Sequence, residues 1–149
     1  MIGLDTNVIV RYLVQDDAAQ CAIVNRLFEQ ELTDDTPGYL SLIALIEVVW
    51  VLQAGYESER EDVAAIIEKL LRSRAIVVES AETVCQALRE FRAGRAEFAD
   101  CLIERAGKTA GCSEIVTFDK VAVRDAGMKL LVASRPQRRQ PQFHRGGPD

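Results

Sequence analysis

A chain of 149 residues is long enough for one domain with its own core and too short for two comfortable ones. Its hydrophobic fraction of 48% and charged fraction of 28% argue against extensive disorder, and no apolar run is long enough to span a membrane. Residues 1–132 carry 14 Lys and Arg against 22 Asp and Glu, so this body is unlike a protein that binds nucleic acid through bulk positive charge.

The histidine and cysteine content restricts the chemistry. His144 is the single histidine and lies in a tail, residues 133–149, that contains four Arg. A His-ligated zinc site or a His-based triad within the fold is therefore nearly excluded. The four cysteines show no C-x-x-C spacing and read as small buried thiols. Any chemistry is therefore expected to rely on carboxylates. Asp5 stands where a signal peptide would carry basic residues, so we expect a cytoplasmic protein.

The N-terminus supplies the first candidate site residue. Ile2-Gly3-Leu4 predicts a short strand buried on both faces, ending at Asp5 ahead of a helix. Ligands of open α/β sheets bind beyond the carboxyl ends of the strands, so Asp5 points toward a site. Alternatively, Asp5 only caps the helix that follows.

Glu47 is the second candidate. Residues 39–41 predict a second strand, and ten of the eleven residues from 42 to 52 are apolar, which predicts a helix enclosed on every side. Glu47 is the exception. A buried carboxylate normally finds a hydrogen-bond partner, coordinates a metal or takes up a proton, and the structural and functional alternatives stay open here.

The middle of the chain reads as structural. Ser58 and Glu61 form a capping-box signature ahead of an amphipathic helix. Residues 75–79 are a β-branched run of strand length, and another helix follows Ser80.

Two further acids follow Gly94. Asp100 lies near the start of a predicted helix, at the margin of its apolar face, where it either reaches a cleft or faces solvent. Asp119 follows an apolar strand, as Asp5 does. Residues 128–132 predict a last strand, and residues 133–149 predict a basic, disordered tail.

The alternation of strands and helices predicts an α/β fold with a parallel sheet and helices on both faces. Asp5 and Asp119 would then lie at one edge of the sheet, where Glu47 and Asp100 could join them. Two like charges about 4 Å apart repel by roughly 4 kcal/mol near a protein surface, so such a cluster requires cations. An all-oxygen site indicates Mg²⁺ or Mn²⁺, and such a metal suits phosphodiester hydrolysis by an activated water.

Four motifs, in this order, resemble the PIN-domain family and in particular the VapC-like ribonuclease toxins of toxin–antitoxin pairs. They are Leu4-Asp5-Thr6-Asn7, residues 41–50 around Glu47, Glu97-Phe98-Ala99-Asp100 and Val116-Thr117-Phe118-Asp119. The resemblance covers residues 1–132 and implies a three-layer α/β/α fold with a central parallel sheet of about four to five strands.

The same resemblance implies roles for particular residues. It places Asp5, Glu47, Asp100 and Asp119 in a metal-binding catalytic cluster, with Thr6 and Asn7 in supporting roles. It also implies a Mg²⁺-dependent endoribonuclease, an RNA substrate, a cognate antitoxin that covers the active site, and a homodimer. Glu97 departs from the Asp that many relatives carry.

Three other classes of protein remain open. A haloacid-dehalogenase-like phosphatase would want a second acid two residues after Asp5, where this chain has Asn7. A Mg²⁺-binding receiver domain, which signals instead of hydrolysing, gives no reason for Glu47 in an apolar helix. A PIN fold retained as a catalytically silent interaction module would keep the fold without turnover.

Overall fold

A computed structural model describes residues 1–133, in which parallel strands alternate with helices. The strands are β1 (Ile2–Gly3), β2 (Gly38–Leu40), β3 (Ile76–Val78), β4 (Val116–Thr117) and β5 (Lys129–Leu130). The helices are α1 (Thr6–Val14), α2 (Ala18–Arg26) with a π-helical turn at Leu27–Glu31, α3 (Leu42–Gly55), α4 (Arg60–Arg72), α5 (Ala81–Ala93), α6 (Phe98–Thr109) and α7 (Lys120–Ala126). The predicted α/β class is confirmed. The predicted tail lies, apart from Ala133, outside the described residues.

The five strands of the described chain form two parallel sheets. One has the order β1-β2-β3, with Gly3 opposite Tyr39 and Tyr39 opposite Val77, and the other pairs β4 with β5. All pairings are parallel, as predicted, but the expected central sheet is divided into three strands and two. Each strand is only two or three residues long.

β1 is an edge strand of its sheet, and the prediction that it is buried on both faces is wrong. Ile2 and Gly3 are both exposed, and the buried residue is Leu4, immediately after the strand. β2 is the central strand, and it approaches Leu4 closely. A Cβ atom at Gly38 would lie 2.4 Å from Leu4 Cδ1, so this position is packed around a glycine.

The core lies among the central strand β2, the helices α1, α3, α4 and α5, and the first turns of α6. Its largest fully buried side chains are Ile9, Leu40, Leu45, Val48, Leu52, Val63, Ile67, Val84, Phe91, Phe98 and Cys101. Among residues 1–133 one charged side chain is also buried: Glu104 of α6 is 4% exposed, and its Oε1 forms a salt bridge with Lys108 Nζ at 3.0 Å.

α3 is not enclosed on every side, which corrects the prediction for residues 42–52. One face buries Leu45, Val48 and Leu52, whereas Ile43 is 80% and Trp50 67% exposed. Glu47 lies on that same outer face and is exposed. Because both faces of α3 are apolar, its sequence has no helical periodicity that would show which face points outward.

The predicted capping box before α4 does not form, because the N-cap of this helix is Glu59, whose side chain makes no capping hydrogen bond. The cysteines agree only partly with the expectation of buried thiols: Cys21 and Cys101 are buried, whereas Cys112 is exposed. Burial, with the nearby charge of Glu90, raises the pKa of the Cys101 thiol to about 11, so it stays protonated. Within residues 1–133, no helix has the length and apolar character to cross a membrane.

Candidate functional site

Asp5 and Thr6 join the end of β1 to the start of α1. Asp5 is the N-cap residue with an extended backbone, but its side chain makes no capping hydrogen bond and is exposed. The capping alternative therefore does not account for its carboxylate. Thr6 is 4% exposed, and its hydroxyl donates a hydrogen bond to Glu47 Oε2 at 3.0 Å. Thr6 thereby orients the carboxylate of α3 toward the end of β1.

The start of α3 fixes the position of Glu47 along the helix axis. Ser41 is the N-cap, and its side chain accepts a hydrogen bond from the Ala44 amide at 3.2 Å. Glu79 Oε2 accepts another from the Leu42 amide at 2.7 Å. A carboxylate is favourable at this positive end of a helix. No sequence pattern assigned Glu79 a role, although an acid directly after β3 at the carboxyl edge of the sheet was a usable signal.

Asp100 and Asp119 form a second acidic group. Asp100 is partly buried in the first turn of α6. Burial raises its pKa above the ordinary value for Asp, and the negative charges of Asp119 and Glu97 raise it further. Asp119 is exposed and caps α7, with its Oδ1 accepting a hydrogen bond from the Val121 amide at 2.7 Å.

Glu97, the departure from the Asp of many relatives, is the N-cap residue of α6 and makes no side-chain capping bond there. The negative charge of its carboxylate instead raises the pKa of Asp100. Asn7 is exposed on α1 and lines, with Arg11 and Ile23, a cleft of about 220 Å³ between α1 and α2.

The structure thus links Glu47 to Thr6, the neighbour of Asp5, and it links Asp100 electrostatically to Asp119 and Glu97. Among residues 1–133, no three His, Cys, Asp or Glu side chains form a group that could hold a metal ion. The donor chemistry nevertheless fits a hard divalent cation, because every donor is a carboxylate oxygen and Asp100 already bears repulsion that a cation would relieve. Convergence of all four acids on one metal stays a prediction.

An apolar groove of about 370 Å³ separates α3 from α6. It is lined by Leu42, Ile43, Ile46, Ala99, Leu102, Ile103 and Ala106. The two helices that line the groove are also those that carry Glu47 and Asp100. Phe118, next to Asp119, is a further exposed apolar side chain.

The chain is an α/β protein in which parallel strands alternate with helices. Asp5 and Asp119 each follow the end of a strand by two residues. The model of the PIN domain family matches residues 2–127, and the chain belongs to this family. It is also similar to a VapC ribonuclease of Aquifex aeolicus (strain VF5), with 26% identity over 117 residues. That match covers 78% of this chain and 86% of the relative. The resemblance noted from the four motifs is confirmed.

Proposed function

We propose that this protein is a metal-dependent endoribonuclease that acts in the cytoplasm as the toxin of a toxin–antitoxin pair. The observation that carries the proposal is the placement of Asp5 and Asp119 just after strands and of Asp100 in the first turn of α6, in a chain of the PIN domain family. The negative charges of Asp119 and Glu97 add to the burial that raises the pKa of Asp100, and a bound cation would relieve this repulsion. The similarity to a VapC ribonuclease supports RNA as the substrate and a cognate antitoxin as the partner.

Asp5, Glu47, Asp100 and Asp119 would hold the metal, for which Mg²⁺ is our first choice and Mn²⁺ a substitute. A bound ion of this kind supplies an activated water and offsets the charge of the phosphoryl group. Thr6 holds Glu47 in place through its 3.0 Å hydrogen bond, and Asn7, two positions after Asp5, would support that acid. Because the body is acidic, we expect phosphate binding to depend on the metal.

The apolar groove supports the homodimer that the family resemblance implies. Ile43 is 80% and Ile103 54% exposed, on helices that face each other across the groove. A contiguous apolar surface of this kind marks an interaction site, and a second copy can cover it with the same surface of its own. Ile103→Lys would place a charge in that interface. Light scattering should then give the monomer mass for the variant and twice that mass for the wild-type protein.

The nuclease proposal is tested by cleavage of a mixed pool of structured and unstructured RNAs. The purified chain, freed of antitoxin, is incubated with Mg²⁺, Mn²⁺ or EDTA. Asp100→Asn should abolish cleavage, because it removes a proposed metal ligand. Asp35→Asn, the same chemical change in an exposed turn before β2, should leave cleavage intact.

Cleavage that needs metal and is lost only in Asp100→Asn would support the nuclease. A folded wild-type protein that cuts no RNA with either metal would contradict the proposal and favour a silent PIN interaction module. Labelling of one Asp by a phosphoryl donor would instead favour the signalling class.

A further inference from the structure

Arg60, the first residue of α4, binds the segment that joins α5 to α6. Its guanidinium donates hydrogen bonds to four backbone carbonyls, those of Phe91, Gly94, Arg95 and Ala96. The bond to Ala96 O is 2.8 Å long and the bond to Gly94 O 3.2 Å. One side chain therefore holds both the end of α5 and the loop of residues 94–97.

These carbonyls belong to the end of a helix and to a loop. The Phe91 carbonyl is one of the last of α5, which have no partner within the helix and carry the negative end of its dipole, whereas those of Gly94, Arg95 and Ala96 lie in the loop. A planar cation with several N–H groups satisfies more than one of them at once, and a lysine ammonium, which is a point charge, matches this arrangement less well. Arg60 thus stabilises the loop of residues 94–97, which has no regular secondary structure of its own.

The contact continues into α6 through two rings. The Arg60 guanidinium lies 3.9 Å from the centroid of the Phe91 ring, and Phe91 meets Phe98 edge-on with centroids 5.7 Å apart. Both rings are 1% exposed. Phe98 is the first residue of α6, two positions before Asp100. The guanidinium, the loop and the two rings form one contiguous unit that ends in the turn carrying Asp100.

We propose that Arg60 is a positioning residue for the acidic group at the start of α6. This inference rests on the proposed function, since it gives Asp100 its role in metal binding. Arg60 fixes the loop that leads into α6, and the contact of Phe91 with Phe98 fixes the first turn of that helix, in which Asp100 lies. When the hydrogen bonds from Arg60 to the loop are weakened, this first turn shifts, and Asp100 leaves the position in which it would bind the metal.

Arg60→Lys tests the proposal, because it keeps the positive charge and loses the planar guanidinium that binds several carbonyls at once. The control is Arg92→Lys, which makes the same change at an arginine of α5 whose Nη2 lies 3.1 Å from Glu68 Oε2 of α4. Two quantities are measured for each full-length protein: the affinity for Mn²⁺, from the electron paramagnetic resonance signal of the free ion, and kcat and KM for a cleaved RNA. A thermal melt of each variant confirms that it is folded.

Arg60→Lys should weaken Mn²⁺ binding and lower kcat by about tenfold each, as the loss of groups that orient metal ligands commonly does, with KM for RNA nearly unchanged. Arg92→Lys should match the wild-type protein in both quantities. Wild-type Mn²⁺ affinity in Arg60→Lys, or an equal loss in Arg92→Lys, would show that Arg60 only packs helices together.

The two proposals fail in different ways. If the wild-type protein binds Mn²⁺ without cutting RNA, and Arg60→Lys weakens that binding, the nuclease fails and the positioning role stands. If the wild-type protein cuts RNA and Arg60→Lys binds Mn²⁺ as tightly, the positioning role alone fails. A wild-type protein that binds no Mn²⁺ would overturn both.

Discussion

Asp100→Asn should stabilise the metal-free protein at neutral pH. Burial, Asp119 and Glu97 all raise the pKa of Asp100, so the folded protein holds its ionised form at a cost. Between the unfolded pKa, about 3.9, and the higher folded pKa, the folded state binds more protons than the unfolded state. Stability therefore falls as the pH rises through this window, and the full cost remains above it.

The size of the gain follows from how well water screens the charges. Two unit charges about 4 Å apart would repel by roughly 4 kcal/mol at an effective dielectric constant near 20, which is an upper bound. Asp100 is only partly buried and Asp119 is exposed. Exposed charge pairs contribute about 0 to 1 kcal/mol. We therefore expect a gain of up to about 1 kcal/mol, or roughly 2–4 °C in melting temperature for a chain of this size.

The assay is a thermal melt in EDTA from pH 7.5 downward, with Asp35→Asn as the control for the Asp-to-Asn change. The advantage of Asp100→Asn should be greatest at pH 7.5 and shrink as the pH falls toward the unfolded pKa. Mg²⁺ should raise the melting temperature of the wild-type protein, by the equivalent of about 2.7 kcal/mol at a hundred times its Kd. It should raise that of Asp100→Asn much less.

A melting temperature for Asp100→Asn several degrees below wild type in EDTA would refute this reasoning, because the ionised carboxylate would then stabilise the fold. An equal response of both proteins to Mg²⁺ would remove Asp100 from the metal site.

Three other substitutions have definite expected outcomes. Thr6→Val removes the hydroxyl that binds Glu47 and should lower cleavage, whereas Thr6→Ser should retain most of it; a steady-state RNA assay compares them. Glu104→Gln weakens the salt bridges of a buried carboxylate and should cost about 1–3 kcal/mol in urea unfolding; an unchanged midpoint would show that these salt bridges contribute nothing. Gly38→Ala places a Cβ 2.4 Å from a Leu4 carbon and should cost about 1–3 kcal/mol by the same measurement, and a more stable variant would contradict that packing.

The sequence predicted every strand of the described chain, because each is a short apolar run bounded by turn residues or by an acid. It also placed Asp5 and Asp119 after their strands and Asp100 in the first turn of a helix. Which face of α3 points outward could not be predicted from the sequence, because Ile43 and Trp50 give its outer face the same apolar character as its inner face.

The contacts made by Glu79 and Arg60 near the candidate site were equally hidden from sequence patterns. Glu79 binds the start of α3 from 37 positions away, and Arg60 binds Ala96 from 36. Local spacing carries no information on pairs so far apart in the chain. The capping-box pattern around Arg60 predicted Ser58 as the N-cap of α4, whereas the N-cap is Glu59 and Arg60 is the first helical residue.

Because the strands are divided into two sheets, the region around Asp119 can open without unfolding of the core. Asp119 lies between β4 and α7, and within residues 114–133 only Ala122 and Met128 are buried. A unit with so few buried contacts opens locally at a small free-energy cost while the core around α3, α4 and α5 stays closed. Each such opening takes one acid away from Asp100. The fraction of time for which the acids stand together is therefore governed by this peripheral unit, and a global unfolding curve does not report it.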